Sequence, residues 1–152
     1  MKEITLKNRG GEIVGFTLID DEDFDTISRF SWAKTSHGYA KAKINGADVY
    51  LHRLLTSAPK GMDVDHANSN KLDNQRKNLR VCTHSQNLSN GKFRSNNTSG
   101  YKGVSEKAKG WTAALWHNGK KIYGGYLINK EEAIKRYAEL SRQYHGEYGR
   151  IT

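Results

Sequence analysis

An aspartate and a histidine stand side by side at Asp65-His66, closing the short β-forming run Met62 to His66. Asn68, Asn70, Asn74 and Asn78 follow, then a second β-forming run, Leu79 to Cys82, and Thr83-His84-Ser85-Gln86-Asn87. Asp65 offers a carboxylate oxygen and Asn87 an amide oxygen, donors that suit a hard divalent cation such as magnesium or manganese. His66 offers an imidazole, which near pH 7 is a suitable general base. A cation, an activated water and help for a departing oxygen are what phosphodiester hydrolysis requires. Strand alternation turns Asp65 and His66 to opposite sides, so the bend at the strand end must bring both to one site.

The surrounding residues define the elements that hold this group. Thr83-His84-Ser85-Gln86 fits a Thr-x-x-Gln capping box, which starts a helix with Asn87 in its first or second turn. Upstream, Val49 to Leu55 reads as a strand end passing into a short helix that carries His52 and Arg53, before a turn at Pro59-Lys60-Gly61. Residues 1–50 read as short strands with turns at Gly10-Gly11, His37-Gly38 and Asn45-Gly46. Between them a short helix is expected from Asp20 to Phe30, with Phe24, Ile27 and Phe30 on one face. Its acidic start (Asp20 to Asp23, Asp25) is assigned to the helix dipole and free N–H groups rather than to a metal. Asn68 and Asn74 are assigned to turns.

Residues 93–99 are expected to be a linker, rich in turn formers and poor in large apolar residues. Three strands follow, at Tyr101–Glu106, Trp111–His117 and Lys120–Leu127, with hairpin turns at Lys109-Gly110 and Asn118-Gly119. A closing helix is expected from Asn129, its N-cap, to His145, with Glu132 at the capping-box position and Gly146 as the stop.

The chain has 152 residues, 25 Lys and Arg against 16 Asp and Glu, and a formal net charge of +9. The excess is uneven: residues 1–50 stand at −1, whereas 51–95 and 96–152 each stand at +5. A polyanion met by the last two-thirds is the simplest partner, since Lys and Arg displace counterions from nucleic acid. Cys82 is the sole cysteine, which excludes an internal disulfide and a cysteine-rich zinc ribbon. With no long apolar stretch, the chain is expected to be soluble and cytoplasmic, with no membrane partner.

Leu51-His52-Arg53-Leu54, Val64-Asp65-His66, Asp73-Asn74, Asn78-Leu79-Arg80 and Thr83-His84-Ser85-Gln86-Asn87 resemble the HNH nuclease family, specifically its phage-type homing endonucleases. The resemblance covers about residues 49–90 and implies a ββα-metal unit. It implies His66 as general base, Asp65 and Asn87 as metal ligands, and Asn78 as a brace that holds the loop and orients His66. Asn87 stands where many members place a histidine, which favours magnesium or manganese over zinc; His84 is an alternative ligand. His52 is assigned either to the neighbourhood of the scissile phosphate or to structural hydrogen bonding. Arg53, Arg76 and Arg80 are candidate phosphate contacts.

Tyr101-Lys102-Gly103-Val104, Trp111-Thr112-Ala113-Ala114, Lys121-Ile122-Tyr123-Gly124-Gly125-Tyr126-Leu127 and Glu131 to Ala138 resemble an APETALA2-type DNA-binding domain. Such a domain lays a three-stranded sheet into the major groove. By position the resemblance puts Lys102, Ser105, Trp111, Ala114, Trp116, Lys121 and Tyr123 on or near the DNA side, with Trp111, Trp116 and Tyr123 assigned either there or to the core between sheet and helix. The sheet also carries Lys107, Lys109 and Lys120. The plant pattern has arginines at several of these positions, so strong base reading is not expected here.

The expected architecture is therefore α+β: an N-terminal β-rich segment (1–50), an HNH ββα-metal unit (51–92), a linker (93–99), and an APETALA2-like sheet packed on one helix (100–152). The expected activity is metal-dependent nicking of double-stranded DNA by a monomer. Two rivals are a noncatalytic DNA-binding regulator, which would bind without cutting, and an RNA-directed protein, which would prefer RNA over duplex DNA. An EF-hand at Asp63 and Asp65 is excluded, because the loop lacks the glycine and the terminal glutamate that it needs.

Overall fold

Short, strongly alternating segments separated by glycine and asparagine turns give ten strands and four α-helices in the computed structural model, which describes residues 1–91 and 97–151. Contacts divide it into two units, Met1–Thr83 and His84–Thr152.

In the first unit, β1 (Lys2–Lys7), β2 (Ile13–Ile19), β3 (Trp32–Lys34), β4 (Ala40–Ile44) and β5 (Ala47–Tyr50) form one sheet in the order β2-β1-β3-β4-β5. Between β2 and β3 lies α1 (Phe24–Ile27), preceded by a 3-10 turn at Asp21–Asp23. The helix expected over 20–30 is thus split and shorter, with Ile27 buried and Phe24 and Phe30 packed against the same core. Helix α2 (Leu51–Thr56) leads to a hairpin of β6 (Asp63–His66) and β7 (Leu79–Cys82), paired antiparallel with Asp65 opposite Arg80 and His66 opposite Leu79. One buried cluster joins Ile4, Leu6, Ile19 and Trp32 of the sheet to Leu51 and Leu55 of α2 and to Val64 and Leu79 of the hairpin. The β-rich segment and the hairpin therefore share a core. Burial at about 25 cal/mol per Å² of apolar surface ties the hairpin to the sheet.

The 12-residue connection between β6 and β7 is built from side-chain turns. Asn68 Oδ1 accepts from Asn70 N (2.8 Å), and Asn70 Oδ1 from Leu72 N (3.1 Å). The connection then docks on the outer edge of β2: Leu18 N donates to Leu72 O and Asn74 N to Leu18 O, both at 2.8 Å. Past it, a 3-10 turn at Arg76–Asn78 is held by the acidic cluster. Asp20 accepts from Arg76 N (2.7 Å) and Gln75 Nε2 (3.2 Å), and Asp23 from the Arg76 guanidinium (2.7 and 3.0 Å). The cluster is structural, but neither Asp20 nor Asp23 caps the helix start by its side chain as expected; both serve a turn over fifty residues away.

The second unit begins with α3 (His84–Asn90) and contains β8 (Val104–Lys107), β9 (Gly110–His117) and β10 (Lys120–Leu127), a sheet of order β10-β9-β8, followed by α4 (Lys130–His145). Asn129 caps α4, its side chain accepting from Glu132 N at 2.8 Å, and Gly146 ends it at φ 54°. Val104, Ala113 and Leu115 of the sheet pack on Ala133, Tyr137 and Leu140 of α4. Gly103 makes this fit possible: at φ 67°, a Cβ there would lie 2.1 Å from the Tyr137 ring and 2.3 Å from the Ala114 carbonyl. Most of the expected linker, 93–99, lies outside the described residues.

Candidate active site

Asp65 and His66 are both 5% exposed and lie in unbroken antiparallel register with Arg80 and Leu79. Alternation therefore sends their side chains to different partners, and the bend expected to bring both to one site is not seen within β6. The Asp65 carboxylate meets the Arg80 guanidinium directly across the hairpin, through Nη2 and, at 3.2 Å, through Nε. His66 faces a group of rings: His52 at 5.4 Å between centroids and Tyr39 at 6.1 Å, with Tyr39 and Tyr50 also flanking His52 at 5.1 and 5.6 Å. Lys71 stands over the Tyr39 ring, 4.5 Å from its centroid. Burial pushes the His66 imidazole below its ordinary value, opposed by the Asn74 hydrogen bond and by Asp65 and Asp73. His52 is pushed to about 4, by burial first and then by His66 and Arg53. Both rings therefore stand neutral at pH 7, as a proton acceptor must.

The asparagines divide the support between them. Asn78 spans the connection: its Oδ1 accepts from Asn68 N (2.9 Å), its Nδ2 donates to Asp73 O (2.7 Å), and its carbonyl accepts from Ala67 N (2.9 Å). Asn74 reaches the His66 ring, its Oδ1 lying 3.2 Å from Nε2. Asn74 was assigned to a turn; it is instead 0% exposed, and its Nδ2 donates to Thr17 Oγ1 at 2.7 Å. Local sequence could not show this, because Thr17 is 57 residues away.

The arginine candidates are engaged within the first unit. Arg53 donates to the carbonyls of Met62, Ala58 and Pro59 (2.9, 3.1 and 3.2 Å), fastening the turn after α2. Arg76 binds Asp23 and the Leu55 carbonyl, and Arg80 binds Asp65. In the structure the three guanidiniums fasten groups of the protein itself, and contact with phosphates stays a proposal for them. Asn87 lies in α3, three residues after His84. The donor chemistry of Asp65 and Asn87 is all oxygen, which fits a hard cation; among the described residues no three His, Cys, Asp or Glu gather into a chelating group.

In the second unit, the strand register defines an open sheet face opposite α4. Trp116 pairs with Lys121, Ala114 with Tyr123, and Thr112 with Tyr126 and Ser105. Trp116 is 65% exposed, and Ser105, Lys107, Lys121, Tyr123 and Tyr126 are exposed on the same face, with Lys109 in the adjoining turn. Tyr126 was missed because a bulge at Gly124 and Gly125 interrupts the alternation by which faces are read. Two expected DNA-side residues lie elsewhere. Trp111 shares the parity of Ala113 and Leu115 and packs with the core, with Lys130 5.4 Å from its ring centroid. Lys102 donates from Nζ to the carbonyls of Leu88, Ser89 and Gly91 (3.0, 2.7 and 2.8 Å), closing the C-terminus of α3. Burial lowers its ammonium to about 8.

Residues 49–89 match the model of the HNH endonuclease family. Along nearly its whole length the chain is also similar to a protein of Acanthamoeba polyphaga mimivirus described as an uncharacterized HNH endonuclease. The two are 29% identical over 150 residues, which cover 95% of this chain and 77% of that protein. No solved structure matches. No helix among the described residues is long and apolar enough to cross a membrane.

Proposed function

We propose that this chain is a metal-dependent endonuclease of double-stranded DNA, a nicking enzyme of the homing type. The observation that carries the reading is the position of the family match. Residues 49–89 bracket α2, the β6–β7 hairpin and α3, and within them Asp65 and a neutral, buried His66 close β6. His66 accepts a proton from water as the water oxygen bonds to phosphorus and the bond to the leaving sugar oxygen breaks. Asp65 and Asn87 would hold one magnesium or manganese ion, which would supply charge neutralisation at the phosphate and at the departing oxygen. Asn78 holds the connection in shape. Arg80, drawn to Asp65, balances a buried carboxylate.

The open face of β8–β10 is the DNA-docking surface, in the manner of an APETALA2-type sheet. Lys107, Lys109 and Lys121 meet phosphates, and Trp116, Tyr123 and Tyr126 lie against the duplex. Few of these side chains can pair bidentately with a base, so the sheet positions the cut more than it reads sequence. One site per chain cuts one strand, and the chain acts as a monomer.

Purified protein with magnesium or manganese is expected to convert supercoiled plasmid to the nicked form. His66→Ala abolishes nicking and leaves DNA binding in place, and Asp65→Ala loses turnover at ordinary metal concentrations. Undiminished cleavage by His66→Ala removes the mechanism. Binding without cleavage across a panel of metals instead favours the noncatalytic regulator, which the exposed aromatic and cationic face would suffice to serve.

A further inference from the structure

We propose that Thr17 and Asn74 determine which nitrogen of His66 is basic, holding the imidazole as its Nε2–H tautomer so that the lone pair resides on Nδ1. The catalytic consequence rests on His66 being the base; the tautomer does not. Thr17 Oγ1 lies 2.8 Å from the Leu72 carbonyl oxygen, which can only accept, so the one hydroxyl proton is spent there. Towards Asn74, 2.7 Å away, the hydroxyl can then only accept, and the amide must present its NH2 group. The Lys71 carbonyl lies 3.4 Å from the same nitrogen, too long to hold the amide without the hydroxyl. The amide oxygen is thereby turned to His66 Nε2 at 3.2 Å. An amide oxygen cannot donate, so Nε2 carries the hydrogen.

Both relay residues are 0% exposed, which leaves no water to substitute for either partner. The backbone pairing of Leu18 with Leu72 and Asn74 keeps the relay in register with β2. Neither side chain touches the reacting atoms. Thr17 and Asn74 are positioning residues, and through them the N-terminal sheet sets the chemistry of a ring on another element.

The test is a long-range proton–nitrogen correlation spectrum of the full chain labelled with nitrogen-15 histidine. It is recorded at a pH where His66 is neutral, with its signals assigned by their loss in His66→Gln. Wild type is expected to show a protonated Nε2 and an unprotonated Nδ1. Thr17→Ser keeps that pattern, since its hydroxyl still accepts from Asn74 Nδ2 and leaves the amide oxygen turned to Nε2. Thr17→Val removes the acceptor that orients the amide, and its His66 signals move toward the other tautomer. A protonated Nδ1 in wild type overturns the proposal, as does a folded Thr17→Val with unchanged signals. In plasmid nicking, kcat of Thr17→Val falls about tenfold with KM unchanged, a modest share of what a wrong tautomer can cost, and Thr17→Ser restores it. A shifted tautomer with unchanged kcat removes Nδ1 as the base. Wild type inactive in every metal fails the nuclease reading, while the spectra still judge the tautomer.

Discussion

Arg80 occupies the carboxylate that the proposed cation would need, and this competition is measurable. Both side chains are largely enclosed, 16% exposed for Arg80 and 6% for Asp65. Arg80→Gln strands a buried carboxylate and is expected to cost about 3 kcal/mol of stability, the usual scale for breaking such a pair. Magnesium then restores more stability to the variant than it adds to wild type, read from thermal melts with and without the metal. Equal metal effects in the two proteins would separate Asp65 from the metal. His52 gives the acid limit of the fold. Its folded value of about 4 lies below the ordinary 6.5, so the unfolded chain binds the proton more readily. The stability tied to neutral His52 is complete above about pH 6.5 and drains away as pH falls toward 4, by about 3 kcal/mol in all. Urea midpoints followed down through this range are expected to fall less steeply in His52→Gln than in wild type, and identical acid limbs would contradict the assignment. At this scale the sequence disclosed Asp65 and His66 by type and position. It hid what each one faces, because Arg80, Asn74, Thr17 and Tyr39 come from separate turns of the chain.

Elements set by local signals were readable beforehand, and those set at a distance were not. The β9–β10 hairpin and α4 follow from Asn118-Gly119, from Asn129 with Glu132, and from Gly146, all within a few residues of what they control. Asn129→Ala is expected to lower the stability of the second unit by about 1 kcal/mol, measured by chemical denaturation, because it removes the acceptor for Glu132 N. No loss would mean that another group satisfies that donor. The connection from His66 to Asn78 reads locally as a string of turns, which is true of Asn68 and Asn70. Its second half is governed by β2, Asp20 and Asp23, a pairing that no local pattern encodes. Lys102 leaves the open sheet face because three carbonyls at the end of α3 claim it, and Trp111 takes the core alternative because strand parity turns it toward α4.

Across the whole molecule the positive charge resides after residue 50, and the proposed docking face concentrates it beside aromatic rings. Lys107→Ala with Lys121→Ala is expected to weaken DNA binding evenly across sequences and to reduce the salt slope by about two. A change in sequence preference with an unaltered slope would instead make these lysines readers of bases. The stretch of loop laid along β2 has a consequence for how such a segment could travel between proteins. A gene fragment encoding residues 49–89 would transplant Asp65, His66, Asn78 and Asn87 together, yet leave behind the strand that carries Thr17 and Leu18. In a new host the connection would close its turns but lack the rail on which Leu72 and Asn74 rest. The unit that can be moved as a working cassette therefore begins with the first two strands, even though the family resemblance begins only at residue 49.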